Sequence, residues 1–251
     1  HNLGLKFKTF DVYAWRGSKL REKLESYLKK GNISTIVYSS PNNPSWICFS
    51  EKELKIIGEL ATRYDAVVLE DLAYFAMDFR KDYSKPGRPP FQPTVAKFTQ
   101  NYVLLVSSSK AFSYAGQRIG SMIVSEKLFH RRFPDLRRHF ASDEFGHALV
   151  YGALYSMTSG TSHSAQFALA AMMKAANEEQ LDFVEHVKEY GVRSGKVKKY
   201  FREHGFKEVY EKDESERIAD GFYFTVSYPG MSSHELIFEL VRHGVSAISL
   251  K

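Results

Sequence analysis

The chain has 251 residues, 43% of them hydrophobic and 25% charged, with a formal net charge of +6; this is the range of a soluble globular protein with room for one large or two medium domains. No apolar run approaches the roughly 18 residues that a membrane span needs, no signal peptide is expected at its start, and the single cysteine, Cys48, excludes an internal disulfide and fits a reducing, cytoplasmic setting. The positive balance gathers mildly at His130-Arg131-Arg132 and Arg137-Arg138-His139, but no zinc-finger, helix-turn-helix or RNA-binding signature accompanies it, so no nucleic-acid partner is expected.

In chain order, Leu20, Leu24, Tyr27 and Leu28 recur at helical spacing, which predicts a helix from Ser18 to Lys30 stopped by Gly31-Asn32. Thr35-Ile36-Val37-Tyr38 reads as a short buried strand. Ser50 with Glu53 forms a capping box that opens a helix running to about Tyr64 and burying Leu54, Ile57 and Leu60. Ala66-Val67-Val68-Leu69 is the next strand. Residues 81–93 hold four prolines and form a loop. Tyr102 to Val106 is a third strand and Ser121 to Val124 a fourth. From Ser162 to about His204 the pattern is mostly helical, softened at Gly191 and Gly195. Gly221 to Val226 predicts a strand, Ser233 to His243 a helix, and Val245 to Leu250 a final strand.

Strands alternating with helices build an α/β fold, a mostly parallel sheet with flanking helices and right-handed crossovers. The second half reads as a smaller α+β C-terminal domain on a long connecting helix, dividing the chain into 1–165 and 166–251. Ligands of such sheets bind beyond the carboxyl ends of the strands. The first strand delivers Ser39-Ser40-Pro41-Asn42-Asn43-Pro44 there, the second Glu70-Asp71-Leu72-Ala73-Tyr74, and the third Ser107-Ser108-Ser109-Lys110. One rim thus carries an amide, a carboxylate, a phenol, hydroxyls and a lysine.

A lysine amine condenses with an aldehyde to a Schiff base, and pyridoxal 5'-phosphate (PLP) is the commonest enzymatic partner for that chemistry. Its pyridine nitrogen needs a facing carboxylate, for which Asp71 is the candidate. Its phenolic oxygen needs donors, which Asn43 and Tyr74 can supply. Its phosphate needs hydroxyls and a cation, which Ser107, Ser109 and Arg118 can supply. Read singly, each residue has a plainer role: Lys110 a surface lysine, Asp71 a helix cap, Tyr74 a core aromatic, Asn43-Pro44 a turn. Ser107-x-x-Lys110 also fits a serine-nucleophile motif, but its Ser-Asp-Asn and Lys-Thr-Gly partners do not occur in the chain. His234 and His243 do not make His-Glu-x-x-His, so no metal site is expected.

Together "SSPNNP", "EDLAY" and "SSSKAFSYAGQRIG" resemble the signature segments of fold-type I PLP-dependent aminotransferases of class I/II, including the eight-residue step from Lys110 to Arg118. The resemblance implies an incomplete PLP-binding large domain followed by part of a small domain. It implies that Lys110 holds the cofactor as a Schiff base and then shuttles a proton, that Asp71 pairs with the pyridinium, that Asn43 and Tyr74 contact the phenolic oxygen, and that Ser107, Ser109 and Arg118 hold the phosphate. Substrates would be an amino acid and a 2-oxo acid, and the working form a homodimer. Two departures stand out: Ser45-Trp46 follows Pro44 where the family usually has Thr-Gly, and Glu70 precedes Asp71 where many members place the acid after it. The first residues, His1-Asn2-Leu3-Gly4-Leu5, carry no initiator methionine. The family's glycine-rich phosphate loop, ring-stacking aromatic and substrate-carboxylate arginine are not found, so the chain reads as the middle of a longer protein, expected to be inactive alone. A PLP-sensing effector domain of a transcriptional regulator, or a PLP-dependent lyase or synthase, would use the same rim.

Overall fold

Leu20, Leu24 and Leu28 fall on one stripe of α1 (Lys19–Leu28) and are buried there. Helix α2 (Glu51–Arg63) begins at the predicted capping box: the Ser50 side chain accepts from the Glu53 N–H, and the Glu53 carboxylate accepts from the Ser50 N–H. Its Leu54, Ile57, Leu60 and Ala61 are buried. Gly58 lets α2 approach the chain at Phe98, where a Cβ would lie 2.6 Å from the Phe98 Cβ. The computed structural model describes residues 4–81, 85–219 and 221–250. His1-Asn2-Leu3 and Asp82-Tyr83-Ser84 of the predicted loop lie outside the described residues, as do Asp220 and Lys251.

The central sheet has the order β1 (Thr35–Ser39), β2 (Val67–Leu72), β3 (Tyr102–Ser107), β4 (Gly120–Val124). The first three strands are parallel, with Ser39 beside Asp71 and Asp71 beside Leu105. The fourth runs antiparallel to β3, with Ser107 opposite Gly120; the short return through Ala115–Gln117 cannot carry a crossover, so the chain must fold back on itself. The sheet is thus mostly parallel, with an antiparallel edge. At the other edge, β1 differs from the buried strand expected: Ile36 and Tyr38 pack on the core, while Thr35 and Val37 face outward, Val37 with 65% of its surface exposed. One face of β1 lies on the core and the other is open, which produces that alternation. The core beneath the sheet joins α1 and α2 to Val68, Leu72, Val95 and Leu104.

A short turn, α3 (Ser108–Ala111), follows β3, and α4 (Glu126–Phe129) follows β4. Residues 145–158 form α5, with π-helical geometry through Ala148–Tyr155. The predicted long helical stretch is two helices, α6 (His163–Asn177) and α7 (Phe183–Glu203). The expected boundary at 165/166 falls inside α6. Gly191 of α7 is where Phe79 packs, a Cβ there meeting the ring at 2.8 Å.

Beyond α7, β5 (Lys207–Glu208) pairs with β8 (Val226–Ser227), and β6 (Lys212–Asp213) with β7 (Glu216–Arg217), all antiparallel and two residues long. Helix α8 (Ser233–Arg242) carries a second capping box, Ser232 with Glu235. Two expectations fail here. The strand predicted from Gly221 to Val226 is reduced to its end, because Phe222 and Tyr223 dock through their aromatic side chains rather than a ladder. Residues 245–250 form no strand; Ile248 is 90% exposed and no neighbouring strand pairs with this stretch among the described residues.

Candidate functional site

The carboxyl end of β1 turns tightly. Asn42 organises it: its Nδ2 donates to Ser39 Oγ at 3.0 Å, its Oδ1 accepts from Ser45 Oγ at 2.7 Å, and its carbonyl accepts from the Trp46 N–H at 2.8 Å. The turn presents Asn43, whose Nδ2 donates to the Tyr74 hydroxyl at 3.2 Å. Two sequence-predicted residues, 31 positions apart, are therefore bonded to each other.

On β2 the period of two sends adjacent acids to opposite faces. Asp71 is half-buried, and its Oδ1 accepts from the Ala73 N–H at 2.9 Å, which closes the turn toward Tyr74. Glu70 is fully buried on the other face, where its Oε2 accepts from the Val95 N–H at 2.8 Å. Burial pushes the Glu70 carboxyl up to about 7, against the pull of Val95 and Tyr38. The neighbouring acids of β2 are thus a core acid, Glu70, and a rim acid, Asp71.

At the end of β3, Ser107 Oγ accepts from the Ser109 N–H at 3.1 Å and so starts α3. Ser108 is buried, its Oγ donating to the Ile119 carbonyl at 2.5 Å. This ties α3 to the strand that follows and leaves Lys110 half-buried, its Nζ 5.0 Å from the centroid of the Phe222 ring. Arg118 stands apart from this group. It adopts a left-handed conformation with φ of 50°, is exposed, and donates from Nη1 to the Ala115 carbonyl at 2.7 Å.

Two further aromatics, Trp46 and Tyr223, pack on Tyr74. Trp46, 1% exposed, sits edge to face on Tyr74 with centroids 5.0 Å apart, and 5.2 Å from Tyr223. Tyr74 and Tyr223 meet at 5.7 Å. Trp46 also has a positive φ of 56°, and its carbonyl accepts from the Ala219 N–H at 2.9 Å. The departure at Ser45-Trp46 was visible as a loop change, but its partner was not. Phe222 and Tyr223 read as strand residues, and the one available signal was the glycine before them: a Cβ on Gly221 would lie 2.8 Å from the Trp46 ring.

A second junction escaped the sequence altogether. Asp213 accepts from Arg16 Nη1, from Arg80 Nη1 at 2.8 Å and from the Cys48 N–H at 3.0 Å. Arg16 also bonds Glu53, and Arg80 bonds Asp78 through both ends of its guanidinium. Burial, with Asp78 next, pushes the Cys48 thiol well up, away from a reactive thiolate.

A family model described as aminotransferase class I and II matches residues 3–212. The probable aspartate aminotransferase of Methanocaldococcus jannaschii is 27% identical over 123 residues, 49% of this chain and 30% of that protein. The histidinol-phosphate aminotransferase of Chlorobaculum tepidum is 34% identical over 120 residues, 48% of this chain and 28% of that protein. Among solved structures, an aspartate aminotransferase from Thermotoga maritima superposes with a TM-score of 0.63 at 20% identity, over 95% of this chain and 53% of that one. A double mutant of Thermus thermophilus aspartate aminotransferase gives 0.64 at 18% identity, over 91% and 51%. These structures share the fold. The chain spans about half of their length, and its matches cover under a third of the two curated relatives named. No helix among the described residues is long and apolar enough to cross a membrane.

Proposed function

The chain belongs to the aminotransferase class I and II family, and from that premise we propose that it carries the cofactor-facing rim of a PLP-dependent aminotransferase, which moves an amino group between an amino acid and a 2-oxo acid. The observation that carries this reading is the meeting of Asn43 with Tyr74 at the same rim that presents Asp71 and the serine-lysine turn. The donor set fits the cofactor: a carboxylate for a ring nitrogen, an amide–phenol pair for a ring oxygen, hydroxyls for a phosphate and an amine for an aldehyde.

When bound, PLP supplies the aldehyde that captures amines and the protonated ring that draws electrons from the breaking bond. The residues supply the rest. Asp71 would hold the proton on the ring nitrogen, steadied by its bond from Ala73. Asn43 and Tyr74 would orient the ring through its oxygen. Lys110 Nζ would carry the proton at the substrate α-carbon. Ser107 and Ser109 would bind phosphate, joined by Arg118 once its guanidinium leaves the Ala115 carbonyl. We place Asp71, Tyr74 and Lys110 as the catalytic residues, on a large unit at 1–165 with a smaller unit at 166–251. The working form is a cytoplasmic homodimer, the lone Cys48 supporting the compartment and the family the dimer. None of the relatives named above is a regulator or a lyase, so the aminotransferase reading is favoured.

Incubating the full-length protein with PLP, reducing with borohydride and mapping peptides tests the assignment. The cofactor should be found on Lys110, and Lys110→Ala should abolish the label. Label retained on another lysine overturns the reading.

A further inference from the structure

Tyr223 has a half-buried ring, yet its hydroxyl oxygen is sealed from solvent with no hydrogen-bond partner among the described residues. The Trp46 indole N–H is sealed and unpaired in the same way. Buried donors are normally satisfied, and each exception calls for an explanation. Both orphans belong to rings packed on Tyr74. The chain is shaped to bring Tyr223 there: the Ala219 N–H bonds the Trp46 carbonyl, the Phe79 N–H bonds the Ala219 carbonyl at 3.1 Å, and Gly221 removes the side chain that would strike Trp46.

We propose that Tyr223 is a positioning residue, whose buried O–H turns to the Tyr74 oxygen and fixes the phenol that faces the candidate cofactor site. Asn43 Nδ2 approaches the same oxygen at 3.2 Å, so the phenol takes one donor from the β1 turn and one from the C-terminal unit. A hydroxyl oxygen has two lone pairs and accommodates both. Burial, followed by the Tyr74 hydroxyl, raises the pKa of Tyr223, which keeps it a protonated donor. Tyr74 is the titratable group that acts on it, and Lys110 lies over the ring of Phe222, the preceding residue. Trp46 holds the two phenols in place by packing. The docking of Ala219, Gly221 and Tyr223 therefore sets the orientation of Tyr74.

The inference rests on the proposed function for its consequence but not for its test. In full-length protein without cofactor, the 13Cζ resonance of Tyr74 should move when Tyr223 becomes Phe, which deletes the hydroxyl and keeps the ring. Tyr223→Phe leaving the resonance and its pH titration unchanged overturns the proposal, whatever the protein binds. With PLP bound, Tyr223→Phe should shift the pH profile of the cofactor absorbance in the same direction as Tyr74→Phe. The double variant should shift no further than Tyr74→Phe alone, because the two act as one unit. Additive shifts would overturn the coupling. A moved Tyr74 resonance together with no PLP on Lys110 would uphold the positioning and sink the functional reading instead.

Discussion

The chain beyond α7 meets the segments flanking the sheet strands at two junctions that use opposite physics. At one, Asp213 sits between Arg16 and Arg80, each of which has a second carboxylate, Glu53 or Asp78. Every charge there has a partner. At the other, Trp46, Tyr74 and Tyr223 pack by ring edges, and two donors are left over. A buried ionic cluster tolerates little displacement, since any shift exposes an unpaired charge to a poor dielectric. Packed aromatics set ring orientation by contact and carry no charge to strand. The ionic junction ties the segment beyond α7 to the chain before β1 and after β2, and the aromatic junction sets the rings next to the candidate chemistry.

The largest effect should come from breaking the ionic junction. Asp213→Ala removes the shared acceptor of Arg16 Nη1, Arg80 Nη1 and the Cys48 N–H, and removing one partner from a buried ionic cluster costs about 3–5 kcal/mol. Urea unfolding should show that loss, with faster amide exchange at Ala219. A loss below about 1 kcal/mol would mean that Glu53 and Asp78 suffice and that Asp213 does not hold the junction.

Glu70 supplies the contrast of a buried acid with no cation in its bonding. Its carboxyl is raised from 4.5 to about 7 in the folded chain. The folded state therefore keeps a proton that the unfolded state releases, and stability falls as pH rises from about 4.5 to about 7. Above that window Glu70→Gln should be more stable than the parent by up to about 3 kcal/mol; below about 4.5 the two should coincide. Thermal unfolding across this range tests it, and a pH-independent difference would contradict the burial account.

How much of this was legible follows the range of the interactions. Helix α2 was readable because Ser50 and Glu53 are three residues apart, and the parallel strands because β-branched runs announce them locally. The placement of the rim segments was readable for the same reason: each strand's carboxyl end carries its own short segment, and the sheet merely aligns them. The orientation of β4 was not, since a four-residue run has no direction of its own. Asp213 was invisible as a partner of Arg16, 197 residues away, because nothing near either one requires the other. The C-terminal strands failed for a related reason. Phe222 and Tyr223 have strand propensity, but burial against Trp46 overrode it.

The aromatic junction can be tested by filling its narrowest point. Gly221→Ala places a methyl 2.8 Å from the Trp46 ring, so ring or backbone must shift. Overpacking of this kind costs about 1–3 kcal/mol. Trp46→Leu should relieve part of that penalty in the double variant, and a cycle of the four proteins measures the relief. Strict additivity would show that Gly221 and Tyr223 are not held against Trp46.

The smallest effect should come from the outer edge of the ionic junction. Glu53 is shared: its Oε1 accepts from Arg16 Nε and the Gly17 N–H, while its Oε2 accepts from the Ser50 N–H and hydroxyl. Burial alone would raise its carboxyl, but Arg16, Ser50 and Gly17 together hold it below the usual range. Ser50→Ala removes one hydroxyl donor and the cap acceptor for the Glu53 N–H, but leaves the Arg16 and Gly17 bonds intact. The cost should be that of a lost cap, about 1 kcal/mol. Because the depressed carboxyl contributes stability above its unfolded pKa and loses it as pH falls, the parent and Ser50→Ala should both weaken in acid. A cost approaching that of Asp213→Ala would mean that the cap and the ionic junction are one cooperative unit, and that the helix start, rather than Asp213, anchors the C-terminal unit.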